Sequence, residues 1–139
     1  MIEVKNVQKS FGDFTVLENC SCKIEKGSVY GLVGANGAGK TTLLKLVSGV
    51  YRPDGGEVLI DGSLVCSDAS VRRRLFFVPD DLYFLPQASM NRMAGFYRGY
   101  YPDWSEKLFQ KLTQVFELNP KQRLNSFSKG MQRQAAIIL

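Results

Sequence analysis

Eight consecutive residues, Gly34-Ala35-Asn36-Gly37-Ala38-Gly39-Lys40-Thr41, follow the pattern G-x-x-x-x-G-K-T. The pattern works only in one local setting. A strand must run into a glycine-rich turn, and the turn must open a helix, so that backbone N–H groups converge on one point. The flanks match. Residues 28–33 (Ser-Val-Tyr-Gly-Leu-Val) are short, apolar and β-prone, and residues 42–48 are strongly helical, with Gly49 as a natural stop. Such a turn binds a polyphosphate. Lys40 is placed to reach the β- and γ-phosphates, and the Thr41 hydroxyl to take a Mg²⁺ position. The glycines let the backbone close around phosphate with no Cβ in the way.

Around this element the chain divides by period. Residues 2–7 alternate apolar and polar, which predicts a strand with Ile2 and Val4 on one face. Phe11-Gly12-Asp13 reads as a turn. Residues 14–17 and 19–25 read as two more strands. Residues 57–60 and 63–65, joined by Asp61-Gly62, read as a hairpin. Residues 75–78 predict a short buried strand ended by Pro79. Beyond it Met90, Met93, Ala94, Tyr97 and Tyr101 recur at helical spacing, and Pro102-Asp103 interrupts them. Asp103 with Glu106 resembles a capping box. The helix it opens carries Leu108, Phe109, Leu112, Val115 and Phe116 on one stripe. Ser128 is placed to cap a last helix.

The 139 residues suffice for a modest domain with a core, and 45% of them are hydrophobic, which excludes disorder as the default. The net charge of +5 is uneven. Residues 1–70 carry seven Lys/Arg against eight Asp/Glu, and residues 71–139 carry eleven against five. The run Arg72-Arg73-Arg74 reads as a solvated basic face, because no aromatic residues interleave it as a nucleic-acid stripe requires. Cys20, Cys22 and Cys66 are an odd set with no secretion signal. They predict reduced thiols, with Cys20 and Cys22 on one side of a strand. No segment is apolar enough to span a membrane.

The order of features resembles the ATPase subunit of an ABC transporter. Lys9-Ser10-Phe11-Gly12 is similar to the family's aromatic loop. Gly34 to Thr41 with Thr42 matches its G-x-N-G-A-G-K-T-T loop. Asp54-Gly55-Gly56-Glu57-Val58 through Asp61-Gly62 looks like its hairpin. Phe127-Ser128-Lys129-Gly130-Met131-Gln132 is similar to its signature L-S-G-G-Q. The resemblance implies an α/β P-loop NTPase fold of the ABC-ATPase type. Residues 1–78 would form a strand-rich nucleotide-binding core, and residues 79–139 a coupling loop and an α-helical subdomain.

It also implies the site. ATP and Mg²⁺ are the expected ligands. Phe11 would stack on adenine. Gly34, Ala35, Asn36, Gly37, Ala38, Gly39, Lys40, Thr41 and Thr42 would hold the phosphates, and Thr41 would hold the metal. Asp80 stands where the family has a Gln that links Mg²⁺ to the membrane part, and is a second metal candidate. Ser128, Lys129 and Gly130 would face ATP bound on the opposite subunit of a head-to-tail dimer, with Lys129 adding a cation. Residues 81–86 would touch a cytoplasmic helix of a transmembrane transporter subunit. The second ATPase copy would be identical or paralogous, and no direct nucleic-acid binding is implied.

The sequence departs from the pattern at Asp80, and at Phe127, Lys129 and Met131 within the signature. Met131 and Pro102-Asp103-Trp104-Ser105 look like small bacterial exporter-type ATPases. The family's Asp-Glu pair and His switch have no counterpart here, and the chain holds no His. A piece of a longer protein is therefore expected, with the catalytic Glu outside it. Two other classes stay open: a soluble ABC ATPase acting on ribosomes or DNA, and a non-catalytic nucleotide-binding remnant.

Overall fold

The computed structural model describes residues 1–139. They form two compact units, Met1–Phe77 and Val78–Leu139.

In the first unit, β1 (Ile2–Phe11) and β2 (Phe14–Ile24) make a long antiparallel ribbon closed at Gly12-Asp13. Val4 and Val7 are both buried although an odd spacing should put them on opposite faces. A bulge resolves this. Asn6 adopts φ 49°, the register shifts between Val4 and Val7, and Ser21 Oγ accepts the Asn6 N–H at 2.8 Å where the ladder is broken. Residues 14–25, expected as two strands, form one, because Asn19 takes φ 53° within it without ending it. Cys20 and Cys22 lie half-buried against the core, and burial, then Cys20, pushes the Cys22 thiol up.

The helix α1 (Lys40–Val47) buries Leu43 and Leu46 in that core. β3 (Gly55–Ile60) pairs antiparallel with β1 and β4 (Ser63–Leu64) with β3, giving the order β2-β1-β3-β4. The hairpin is the predicted one: Asp61 and Gly62 both take positive φ, 49° and 83°, as a twisted two-residue turn requires. Asp61 accepts from the N-terminal ammonium at 2.6 Å and from Arg74, which together hold its carboxyl down at about 2. A four-residue helix α2 (Ala69–Arg72) follows, capped by Asp68.

Two expected strands are absent. Residues 28–33 and 75–78 have no strand partner. A strand buried on both faces needs a ladder beside it, and no strand of this chain runs alongside either segment. Val29 and Val33 are almost fully exposed and Phe76 largely so, while Leu32 and Leu75 still pack against the core.

The second unit is helical: α3 (Met90–Tyr100), α4 (Glu106–Val115) and α5 (Lys129–Ile138). Their common core includes Met90, Met93, Phe109, Leu118, Leu124, Phe127, Ala135 and Ile138. The cap of α4 is Ser105, not Asp103. Ser105 Oγ accepts the Leu108 N–H at 3.2 Å, and Glu106 turns aside to Arg98 and Trp104. The buried stripe of α4 is accordingly centred on Phe109 and Thr113, with Leu108 and Val115 exposed.

Candidate functional site

The phosphate loop runs from Gly34 into the N-terminus of α1. Gly37 and Gly39 take φ 85° and 83°, a region costly for any other residue. Gly39 is also sterically closed: a Cβ there would stand 2.8 Å from Leu17 Cδ2 and 3.2 Å from the Val16 carbonyl oxygen. It serves as N-cap with no side chain to satisfy the first turn, and α1 has no acidic residue in that turn. Its leading N–H groups and dipole therefore face outward without internal competition. Ala38 N–H donates to Ala35 O at 3.2 Å, which tightens the loop. Lys40 Nζ bends back over the loop and donates to Gly34 O and Ala35 O, both at 2.7 Å. That pose holds the ammonium at the rim of the cradle. Gly34, Ala35, Asn36, Gly37, Ala38 and Thr41 are exposed, while Thr42 is half-buried.

Thr41 is exposed in the first turn of α1, directly after the glycine-lined loop. No group of three or more His, Cys, Asp or Glu converges anywhere in the chain. One hydroxyl next to a phosphate cradle suits Mg²⁺, which keeps its waters and arrives with substrate phosphates rather than in an all-protein cage.

Phe11 lies at the tip of the β1–β2 ribbon and is 45% exposed. It is braced rather than loose. Tyr51 meets it edge-on with ring centroids 5.4 Å apart, and Lys9 Nζ lies over the ring 5.5 Å from its centroid. Asp54 holds the approach. Its two carboxylate oxygens accept from Lys9 Nζ and from the Ser10 N–H, each at 2.7 Å, and these bonds lower its pKa. Sequence reasoning missed Lys9, Tyr51 and Asp54 as a group. Residues 9 and 54 carry no local signal of their pairing, and Asp54 reads as an ordinary loop residue.

In the second unit, Ser128 caps α5: its Oγ accepts the Met131 N–H at 3.3 Å. Ser128, Lys129 and Gly130 are all exposed, and the nearest atom to a Cβ on Gly130 would be Ser128 Oγ at 3.9 Å. The start of α5 is thus an open surface with no acidic residue in its first turn. Phe127, in place of the usual Leu, is buried in the core and anchors this helix start. Asp80 is exposed and accepts from Arg133 Nη2 on α5 at 3.2 Å, a partner its sequence position did not suggest. In residues 81–86, Phe84 and Leu85 pack against the core while Tyr83 is 78% exposed.

The comparisons agree with this geometry. Residues 17–139 match the ABC transporter family model. The chain is 28% identical over 139 residues to the ABC transporter ATP-binding protein YtrB of Bacillus subtilis, covering all of this chain and 48% of that protein. It is 31% identical over 142 residues to the SkfA peptide export ATP-binding protein SkfE of the same organism, covering 99% of this chain and 59% of the relative. A solved ATP-binding subunit of an ABC transporter superposes with a TM-score of 0.82 at 25% identity, covering 99% of this chain and 60% of that one. The chain thus spans about half the length of the curated relatives it matches. No helix is long and apolar enough to cross a membrane. With the P-loop in place and the match running through the capped α5, the chain belongs to the ABC transporter ATP-binding family.

Proposed function

We propose that this chain is the ATP-binding part of a transporter ATPase that hydrolyses MgATP in a head-to-tail dimer and drives transport through a transmembrane partner. One observation carries the reading. A single chain holds both a glycine-lined loop at the N-terminus of α1 and an open, Ser128-capped N-terminus of α5. Both ends offer N–H groups to anions, which is what two halves of a shared triphosphate site require.

Residues 1–78 act as the nucleotide-binding core and residues 79–139 as coupling loop and helical subdomain. The N–H groups from Gly34 to Thr42 surround the phosphates. Lys40 exchanges the Gly34 and Ala35 carbonyls for phosphate oxygens, swapping neutral acceptors for charged ones. Phe11 carries the adenine face. Ser128, Lys129 and Gly130 meet the γ-phosphate held by the second copy. The Thr41 hydroxyl would hold Mg²⁺, with Asp80 as a further candidate, and the ion when bound would neutralise charge on the phosphates. The exposed Tyr83 is the contact offered to the membrane subunit, which would keep the protein at the inner face of the cell membrane.

This chain alone binds nucleotide without turning it over, and hydrolysis belongs to the longer protein. The test is ATP turnover by the full-length protein with and without Lys40→Ala, beside the same assay on residues 1–139. Turnover lost in the variant and missing from the short chain supports the reading. Turnover by the short chain that depends on Lys40 overturns its second half.

A further inference from the structure

Nothing in the phosphate loop explains how a lone aromatic ring at a hairpin tip stays in place to receive a base. Phe11 is followed at once by the Gly12-Asp13 turn, and Phe14, its partner across the ribbon, is 68% exposed. Phe11 differs because of a chain of contacts reaching from the other side of the sheet. β3 approaches β1 closely: Gly56, at φ 73°, leaves no room for a Cβ, which would stand 2.3 Å from the Asn6 and Lys5 carbonyl oxygens. The Asp54 N–H donates to Gln8 O at 2.9 Å, so the residue is stitched to β1 before its side chain acts. The carboxylate then takes the Lys9 ammonium with one oxygen and the Ser10 N–H with the other. Lys9, only 15% exposed at its side chain, is thereby held over the Phe11 ring. On another side stands Tyr51, whose own ring has Lys45 of α1 above it at 5.1 Å.

We propose that Asp54 is a positioning residue for the nucleotide base: by clamping Lys9 and the Ser10 amide, it fixes the Phe11 ring so that its open surface receives the purine face. The inference rests on the reading of Phe11 as the base platform and adds what sets that platform. Two consequences distinguish it from simple stabilisation. The Asp54 end of the clamp is 46% exposed, and ion pairs open to solvent on one side add little to folding free energy. Its effect should therefore fall on ligands that have a base and spare ligands that have only phosphates.

The experiment compares MgATP with magnesium inorganic triphosphate as calorimetric ligands of the full-length protein. The proteins are the parent, Asp54→Ala, Phe11→Ala, the double variant and Phe14→Ala. Base–aromatic stacking of this kind is removed by Phe11→Ala at a cost of about tenfold or more in ATP affinity. Asp54→Ala is expected to weaken ATP by about three- to tenfold and triphosphate by less than about twofold, with the melting temperature at neutral pH lowered only slightly. The double variant should bind ATP no worse than Phe11→Ala, because the clamp acts through the ring. Phe14→Ala should change neither ligand. Asp54→Ala without effect on ATP, while Phe11→Ala weakens it, overturns the clamp and leaves the platform standing. Equal weakening of ATP and triphosphate by Asp54→Ala also overturns it, since the phosphate loop itself would then have been disturbed. Phe11→Ala without effect, or selective loss in Phe14→Ala, overturns the platform and the clamp together.

Discussion

Arg133, in the second turn of α5, donates to the Asp80 carboxylate at 3.2 Å. The residue that follows Val78-Pro79 is thus tied to the helix that Ser128 begins, and Asp80 approaches any cation already carrying a partner. Both side chains are more than half exposed, so the pair is screened. A double-mutant cycle with Asp80→Ala and Arg133→Ala, read by urea unfolding, should give a coupling of about 0.2–1 kcal/mol that shrinks in high salt. A coupling well above that range would mean the link is structural rather than exchangeable.

Lys40 has two neutral acceptors within its own loop. Replacing it with Ala removes a charged donor to phosphate, and hydrogen bonds to charged groups are worth about 1.5–3 kcal/mol. Triphosphate and ATP should therefore weaken together in Lys40→Ala, by roughly ten- to a hundredfold. Isothermal titration of both ligands checks this. Loss for ATP alone would place Lys40 away from the phosphates.

The Asp61 carboxyl is held at about 2 by the N-terminal ammonium and Arg74. A carboxyl with a folded pKa below its unfolded value stabilises the protein above the unfolded value, and that contribution is lost as pH falls through the folded one. The melting temperature should hold from pH 7 to about 4.5 and then decline toward pH 2, with Asp54 and Asp68, whose pKa values are also lowered, adding to the fall. Asp61→Asn should flatten part of that decline and leave the plateau nearly level. An identical slope in the variant would show that other groups carry the acid sensitivity.

Much of this was legible in the chain. Asp61-Gly62 supplies two positive-φ positions in the order a tight hairpin needs, and Ser128 stands before a helical run with no competing cap, so both were read correctly. Local chemistry sufficed because the determinants are adjacent. Residues 28–33 and 75–78 were misread for the opposite reason. Their β-prone composition describes what a strand would look like, yet a strand exists only where another backbone pairs with it, and none does here. Asp103 lost the cap of α4 to Ser105, two residues on, since a capping box fixes spacing to Glu106 but not which hydroxyl or carboxylate meets the free amide. The clamp of Lys9 and Asp54 joins positions 45 residues apart, and no periodicity foretells it.

Removing the Ser128 cap should cost about 1 kcal/mol of stability, the usual value for a Ser to Ala change at a helix start. Ser128→Asn, which can accept the same Met131 N–H, should restore most of it. Thermal unfolding of the two variants checks this. An unchanged Ser128→Ala would mean that the buried Phe127, not the hydroxyl, fixes where α5 begins.

Gly39 reaches further than its own loop. The space its absent Cβ leaves is filled by Leu17, and Leu17 is the cross-strand partner of Lys9, which stands over Phe11. The cradle for phosphate and the ring proposed for the base are therefore hinged on one joint, two residues deep. On the proposed reading, this shared joint would set the span between the two ends of a nucleotide, like the jaws of a gauge locked at one opening. A methyl group at position 39 would reset that opening as well as strain the loop, so its cost should be largest for ligands long enough to touch both jaws.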